Sequence, residues 1–392
     1  MIEQPLLTQA TSFGSASVHE AVPEADQLAW KTSFERYAAD HRYYDLVRET
    51  LGDQFAHRYI ILRDGQGAAR AVQPFLVVQQ DLITGTPAFV RNLVEKIRRR
   101  FPSFLKLKML MVGCSAGEGD VAFDQATGSV AWVARALKEA LPPIARKLKT
   151  VLIVFKDMPR FYREFLDDLK TAGFTRIPSM PATRLELTFS DFEEYLKTRL
   201  SHAMRKNLRR KFRKSESGDP IELSVETDIS QYVDDLYPLY RQTLSRSEFK
   251  FEELTKSYLC ELGKRLPDRA RFLIWRKGGK IVAFASCVVH DGVLKDNYIG
   301  LDYSIALDYH LYFVTWRDTV IWALKNGVRI YHSAPLNYDP KYHFRMDLEP
   351  LDLYVRSPHG WLNPIFKLVL PLLEPTRYDR TIQKFANRNE LW

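Results

Sequence analysis

Apolar and polar positions along the chain repeat one order of elements in two halves. Residues 58–81 (RYIILRDGQGAARAVQPFLVVQQD) and 271–291 (RFLIWRKGGKIVAFASCVVHD) each place two apolar runs around a glycine turn. The turns are Asp64-Gly65-Gln66-Gly67 and Lys277-Gly278-Gly279-Lys280, so both segments read as β-hairpins. In the second half a strand Leu294–Ile299, a helix Leu311–Asn326 and a short strand Val328–His332 follow. In the first half the counterparts are a strand Lys106–Val112, a helix Ser129–Leu148 that Pro142-Pro143 should interrupt, and a strand Val151–Phe155. Each half then has a segment rich in Tyr and Phe and a last strand, Thr183–Thr188 and Leu351–Val355. The first half carries an extra insertion, 82–104, with a basic helix Val90–Phe101. The expectation is an α/β fold (α+β, mixed sheet) of two domains with one topology.

Between the halves, Leu196, Leu200, Met204, Leu208 and Phe212 recur every four residues, which predicts one long helix over Asp191–Lys214. Ser190 with Glu193 looks like a capping box at its start, and SESGDP (Ser215–Pro220) ends it. The predicted organisation is a flexible tail (1–25), a first domain (26–190), a basic inter-domain helix (191–218), a second domain (219–358) and a C-terminal extension (359–392). The tail is rich in Ser, Thr, Ala and Pro and lacks periodicity. The apolar stretch Trp361–Leu373 is too short to span a bilayer and is expected to pack back on the core, with membrane contact as the alternative.

Charge sharpens this picture. The 392 residues carry 57 Lys and Arg against 48 Asp and Glu, a net charge of +9. Nine of those cations lie in Tyr195–Lys214, which has no acid, and the rest of the chain is balanced at 48 of each sign. The basic character therefore belongs to one helix, where Arg205, Lys206, Arg209 and Arg210 are candidates to hold phosphates of a nucleotide-linked ligand, a tRNA or an anionic lipid. Nothing resembles a sequence-reading DNA motif. Cys114, Cys260 and Cys287 are too few and scattered for a disulfide framework or metal knuckle, and Cys287 reads as a small buried hydrophobe. No histidine spacing implies a metal, and the N-terminus lacks a signal peptide's pattern. A cytoplasmic setting is expected, with peripheral association at the inner face of the membrane as its variant. The GCSAG pattern at Gly113–Gly117 lacks a following Asp and His order and is not read as a hydrolase elbow.

Polar groups concentrate in the second half. Asp296, Tyr298, Asp302, Tyr303, Asp308, Tyr309 and His310 fall within fifteen positions, and a period of two puts Asp296, Tyr298 and Gly300 on one strand face. A second set, His332, Asn337, Tyr338, Lys341, Tyr342, His343 and Arg345, follows the next strand.

The stretch SHAMRKNLRRKFRKSE (Ser201–Glu216) resembles the RKN-x-RR helix that leads into the second domain of FemAB-like and BioF2-like acyltransferases. These are tandem members of the GCN5-related N-acetyltransferase (GNAT) superfamily. The strand NYIGLDYS (Asn297–Ser304), the helix LYFVTWRDTVIWALKNG (Leu311–Gly327) and the segment YDPKYHFRMDLEP (Tyr338–Pro350) continue the likeness. The resemblance implies two tandem GNAT-like domains and an amide-forming N-acyltransferase. Its donor would be acyl-CoA or, as in Fem-type ligases, an aminoacyl-tRNA, with an amine as acceptor and no metal. A degenerate, non-catalytic pair that binds an anionic ligand is the alternative. GNAT chemistry uses a splayed strand to offer a backbone N–H to the oxyanion, a carboxylate or His as base and a Tyr as acid. The resemblance thus implies Asp302 or His310 as base, Tyr338 or Tyr342 as acid, and a substrate cleft formed by Asp296, Tyr298, Tyr303, His332, Asn337, Lys341, His343 and Arg345. The loop where GNAT enzymes cradle a pyrophosphate is DYSIALDYHLYF (Asp302–Phe313), which has no glycine.

Overall fold

The computed structural model describes residues 4–81, 88–216, 218–247 and 250–392. Parts of the expected tail (1–3), of the insertion (82–87) and of the helix-ending segment (217) lie outside them. The chain divides into two compact units. Unit 1 comprises 1–180, 350–383 and 389–392, and unit 2 comprises 181–349 and 384–388.

Unit 1 runs β1 (Leu7–Thr11), β2 (Gly14–His19), α1 (Gln27–Ser33), α2 (His41–Thr50), β3 (Ala56–Arg63), β4 (Ala69–Asp81), α3 (Ala88–Arg98), β5 (Lys106–Val112), α4 (Val130–Lys147), β6 (Leu152–Pro159), α5 (Arg163–Leu166) and β7 (Thr175–Pro178). Unit 2 runs β8 (Ala182–Glu186), α6 (Phe192–Arg199), α7 (His202–Ser215), β9 (Ile221–Glu226), α8 (Val233–Arg246), α9 (Lys256–Arg265), β10 (Ala270–Lys277), β11 (Lys280–His290), β12 (Val293–Leu301), α10 (Leu311–Lys325), β13 (Ile330–Ser333), α11 (Tyr338–His343) and β14 (Asp347–Glu349). The chain then returns to unit 1 with β15 (Leu351–Arg356) and α12 (Asn363–Leu373).

Among the described residues, the unit 1 sheet has the order β1-β2-β3-β4-β5-β6-β15-β7 and the unit 2 sheet β14-β8-β13-β12-β11-β10-β9. Read from β2 and from β9, the two orders superimpose strand for strand. Each has an antiparallel hairpin, β3–β4 or β10–β11, and then a parallel pair, β5–β6 or β12–β13. The parallel pairs are bridged by α4 and α10, as a parallel connection requires. The hairpin turns are built as expected. Gly278 and Gly279 take φ of +55° and +78°, and the Asp64 carboxylate accepts the N–H groups of Gln66 and Ala68 at 3.0 Å each.

The last strands are exchanged. Thr183–Thr188 was expected to close the first half and Leu351–Val355 the second. Instead β8 lies between β13 and β14 in unit 2, and β15 lies between β6 and β7 in unit 1. Pattern gives each strand its length and faces, but both positions ask for the same thing, a short strand paired antiparallel on both edges.

Four local expectations also change. Residues 7–19, expected as loose tail, form an edge hairpin in which Ala16 and Val18 are fully buried and Ser12 donates to Glu139 through N–H (2.8 Å) and hydroxyl (2.6 Å). Small residues suit this strand because β2 lies close on β3: a side chain at Gly14 would overlap the Arg63 carbonyl at 2.3 Å. The helix α4 runs unbroken through Pro142 and Pro143, which sit among the buried Leu141, Ile144 and Ala145. The inter-domain helix is two helices. Leu200 is extended, and Ser201 restarts α7 by accepting the Met204 N–H at 3.3 Å. Arg205 stabilises the joint, donating to the carbonyls of Lys197 (3.2 Å) and Leu200 (2.7 Å). At the start of α6 the N-cap is Asp191, which accepts from Glu194 N–H at 2.8 Å, and it is Glu194, not Glu193, that accepts from Ser190. The apolar stripe still faces one core, where Leu196, Leu200, Leu208 and Phe212 join α10 and the α10-facing side of the sheet.

Candidate functional site

The parallel strands of unit 2 stay paired only from Val293↔Ile330 to Asp296↔Ser333. Beyond that point β13 turns away, while β12 continues along β11 to Leu301. A β-bulge sits at the same place: Asp296 opposes Cys287 and Tyr298 opposes Ser286, which leaves Asn297 as the extra residue. A bulge bends its strand and re-aims its side chains. It reverses the expected alternation, so Asp296 does not share a face with Tyr298 and Gly300. Tyr298 lies on the α8–α9 side, where its hydroxyl donates to Glu252 at 2.8 Å and its ring meets Tyr240 and Tyr258 edge-on. Gly300 is on that side too; a Cβ there would come within 2.7 Å of the Tyr240 nitrogen.

Asp296 lies on the opposite side, with Tyr331, Cys287 and α10. The Tyr331 hydroxyl donates to it at 2.7 Å, and the Cys287 thiol is 3.8 Å away. Asp296 as a residue is half-buried, because its backbone lies where the strands part, but its carboxyl group is enclosed. Burial raises its pKa, opposed by the Tyr331 hydrogen bond and the charge of Lys341. Lys341 is only 3% exposed, and its ammonium group donates to the Ala334 carbonyl at the end of β13. Burial pushes its pKa down to about 7, with Asp296 opposing the shift. The hydroxyl groups of Tyr331 and Tyr312 are shifted upward by burial and then by Asp296. The Asn337 side chain hydrogen-bonds Tyr312 and lies at the exposed rim.

The backbone around this group is unusual. His310, Leu336, Asn337 and Arg345 all have φ between +51° and +76°. Left-handed conformation in non-glycine residues costs about 1–2 kcal/mol each, and such residues gather at functional sites.

The other sequence candidates fall elsewhere. Asp302 is buried as a cap, accepting from Ser304 N–H (3.0 Å), Ser304 hydroxyl (2.5 Å) and Lys280 (2.8 Å). Burial works to raise its pKa, but these hydrogen bonds override it and leave a lowered value, unlike a base poised near neutrality. The Tyr303 ring carries the Arg246 guanidinium at 3.9 Å. The Tyr338 hydroxyl donates to the Pro181 carbonyl at 2.8 Å and is buried. Tyr342 is half-buried beside His343 and Phe385, with Arg345 over its ring. His343 is exposed near Asp339, and His332 is buried and electrostatically close to Asp296. Sequence reasoning missed Tyr312 and Tyr331, whose polar tips are invisible in strand and helix patterns, and it took Cys287 as mere packing.

His310 begins α10. Burial, then Lys211, Lys214 and Arg210 of α7, hold its pKa below the ordinary imidazole value. The basic end of α7 therefore lies over the first turn of α10, with the Lys211 ammonium 3.1 Å from the centre of the Phe313 ring. Of the four expected phosphate ligands, Arg205 is committed to the helix joint and Arg209 pairs with Glu193 at 2.7 Å. Arg210 donates to Asn207 at 3.1 Å, and Lys206 is exposed. The loop itself is closed. From Asp302 to Leu311, the N–H groups of residues 302–306 and 309–311 already donate within the protein.

In unit 1 the corresponding gap is filled. The β5–β6 ladder ends at Val112↔Phe155, and the loop Gly113–Asp124 then folds back along β6. Gly119 N–H donates to the Asp157 carbonyl at 3.1 Å, and the Lys156 ammonium donates to the Gly117 carbonyl at 3.0 Å. A Cβ at Gly119 would lie 2.1 Å from the Lys156 carbonyl oxygen, so only glycine passes there. Ser115 is wholly buried and hydrogen-bonds His57 at 3.0 Å, away from solvent, unlike a nucleophile. Among the described residues no group of His, Cys, Asp and Glu could hold a metal, and no helix is long and apolar enough to cross a membrane.

Residues 202–342 match a protein-family model described as an acetyltransferase (GNAT) domain. No curated protein matches the chain. Among solved structures, FemX is similar with a TM-score of 0.51 and 11% identity, over 90% of this chain and 99% of that one. A conserved protein of unknown function from Bacteroides thetaiotaomicron VPI-5482 gives 0.50 and 11%, over 87% and 98%. The C-terminal domain of a putative lysylphosphatidylglycerol synthetase from Agrobacterium fabrum gives 0.49 and 14%, over 88% and 96%. At these identities the likeness is one of fold. Residues 202–342, within unit 2, carry the acetyltransferase (GNAT) match, and unit 1 repeats the strand order of unit 2, so the fold is a tandem pair of like units.

Proposed function

We propose that the protein is an amide-forming N-acyltransferase whose reaction takes place in unit 2, where β12 and β13 part. The observation that carries this reading is the coincidence at one point of the end of the ladder, the bulge at Asn297, and the enclosed Asp296 carboxyl, which accepts from Tyr331 and feels the charge of buried Lys341. An acyl carbonyl laid between the parted strands would meet backbone N–H groups of β12, which stabilise the oxyanion as the amine attacks. The amine proton passes to Asp296, directly or through the Tyr312 hydroxyl; a carboxylate with a raised pKa beside a lysine that titrates near 7 can accept it at neutral pH. Asp296 thus replaces Asp302 as the proposed base. Tyr342, whose hydroxyl has no carbonyl partner comparable to that of Tyr338, is the proposed acid for the leaving group, and His310 with Asn337 lines the entrance. The transfer breaks the bond from acyl carbon to carrier, forms the amide C–N bond, and returns the carrier protonated.

The donor's phosphates would be held by α7. The loop amides that cradle a pyrophosphate in GNAT enzymes are spent internally here, while Arg210, Lys211 and Lys214 crowd the start of α10. This favours an activated carrier other than CoA in its usual pose, and it supports a Fem-type aminoacyl-tRNA donor as the second reading. The test is to incubate the protein with amine acceptors and, separately, acyl-CoA thioesters and aminoacyl-tRNA, and to follow carrier release and amide mass. Amide formed from either donor supports the reading and chooses between its versions. Salt-sensitive retention of tRNA or CoA with no covalent product overturns it in favour of a non-catalytic binding pair.

A further inference from the structure

Apart from Asn363 and Lys367, the helix α12 is made of apolar residues. Such a helix is normally buried in a core or in lipid, yet α12 is buried on one side only. Leu370 is buried, Leu362, Phe366, Val369 and Leu373 are half-buried, and the helix start is pinned by Asn363, which accepts the Ser357 N–H at 2.8 Å. The opposite stripe, Trp361, Ile365, Leu368 and Leu372, is exposed by 74%, 54%, 73% and 54%. These positions follow one another at four, three and four residues, so they form a continuous ridge. The expected packing of Trp361–Leu373 onto the core is therefore only half fulfilled.

The surroundings indicate what covers the ridge. From Arg356 to Leu373 there is no Asp or Glu. Exposed Lys367 lies on the helix and exposed Arg380 follows it, while Arg377 is held by Glu374 at 3.1 Å and lies over the Trp392 ring. The nearby acids are turned to internal use: Glu374 is buried as a cap for Thr376, and Asp379 accepts the N–H groups of Thr381 and Ile382. Tyr378 and Trp392, exposed by 50% and 46%, add amphipathic rings of the kind that settle at a lipid headgroup boundary. An apolar ridge of about 16 Å, from eleven residues at 1.5 Å each, gives far less than the about 800 Å² per partner of a stable protein interface. A two-fold pairing of copies through it would also bring like charges together.

We propose that α12 docks unit 1 on an anionic bilayer surface. The helix lies in the plane of the interface, with Trp361, Ile365, Leu368 and Leu372 at the boundary between headgroups and acyl chains and Lys367 and Arg380 on lipid phosphates. This docking does not depend on the proposed acyl transfer.

The test is flotation of the full-length chain with vesicles of phosphatidylcholine, with and without a minor share of phosphatidylglycerol. The expected result is binding to the anionic vesicles, weakened by salt and accompanied by a blue shift of tryptophan emission. Ile365→Asp with Leu368→Asp should reduce partitioning by roughly tenfold or more with an unchanged melting temperature, because both residues are exposed in the free protein. Lys367→Gln with Arg380→Gln should lower binding to the anionic vesicles alone. The proposal is overturned if the wild-type chain floats with neither vesicle, or if the aspartate pair floats as well as wild type. It is likewise overturned if light scattering shows a dimer that the aspartate pair dissolves.

Discussion

Replacing Lys341 with methionine keeps most of the side chain's volume and removes its titration. In the folded protein this lysine titrates at about 7, against an ordinary value of 10.5. Between those two values the unfolded chain binds a proton there that the folded chain does not. Lys341 therefore makes stability rise with pH by about 1.4 kcal/mol per unit, reaching roughly 5 kcal/mol across the window. Below about pH 7 both states are protonated and the folded state bears the whole cost of the buried charge; above about 10 the cost is gone. Its neighbours titrate as well. The Cys287 thiol and the Tyr331 and Tyr312 hydroxyls, all shifted upward by burial, make stability fall at alkaline pH, and Asp296 acts from the acid side. The decisive quantity is thus the difference between Lys341→Met and wild type, in which these groups largely cancel. From pH 7.5 to 9.5 that difference should shift by about 3 kcal/mol in favour of the wild type as pH rises. Urea unfolding with pulsed thiol labelling reads it unit by unit, because buried Cys287 reports unit 2 and buried Cys114 reports unit 1. A difference that does not change with pH would mean that Lys341 stays charged when buried, and the proton-accepting pair proposed here would be wrong.

Two further predictions follow from the same geometry. Gly119→Ala places a Cβ 2.1 Å from the Lys156 carbonyl, so the loop must leave β6; unit 1 should lose about 3–5 kcal/mol by Cys114 labelling, with Cys287 labelling unchanged. Arg210→Glu with Lys214→Glu should raise KM for a phosphate-bearing donor by about tenfold or more, with little change in kcat and a shallower dependence on salt; unchanged KM would remove α7 from donor binding.

Much of the fold was legible because the strands of both hairpins are apolar runs set around glycine turns, and alternation is a local property. The exchange of β8 and β15 was not, since either strand satisfies either sheet and only the path of the chain decides. The break at Leu200-Ser201 was hidden by an apolar stripe that continues in phase across it. At the candidate site, the sequence directed attention to the stretch 296–310 and to Lys341, where polar residues crowd between apolar runs. It misjudged the faces because a single extra residue, Asn297, inverts them. It rated Asp302 as a base because nothing in the sequence tells a cap from a catalyst. The glycines of the unit 1 loop are plain in the sequence, but that Gly119 answers to the β6 backbone is not.

The most direct test of the central claim is amide formation by Asp296→Asn, assayed with whichever donor the wild type accepts. Cys287 protection and thermal unfolding serve as checks on the fold. The account predicts that protection persists and donor affinity is kept, while kcat falls by roughly a hundredfold or more, as for loss of a general base. Wild-type turnover in a folded Asp296→Asn protein would contradict it.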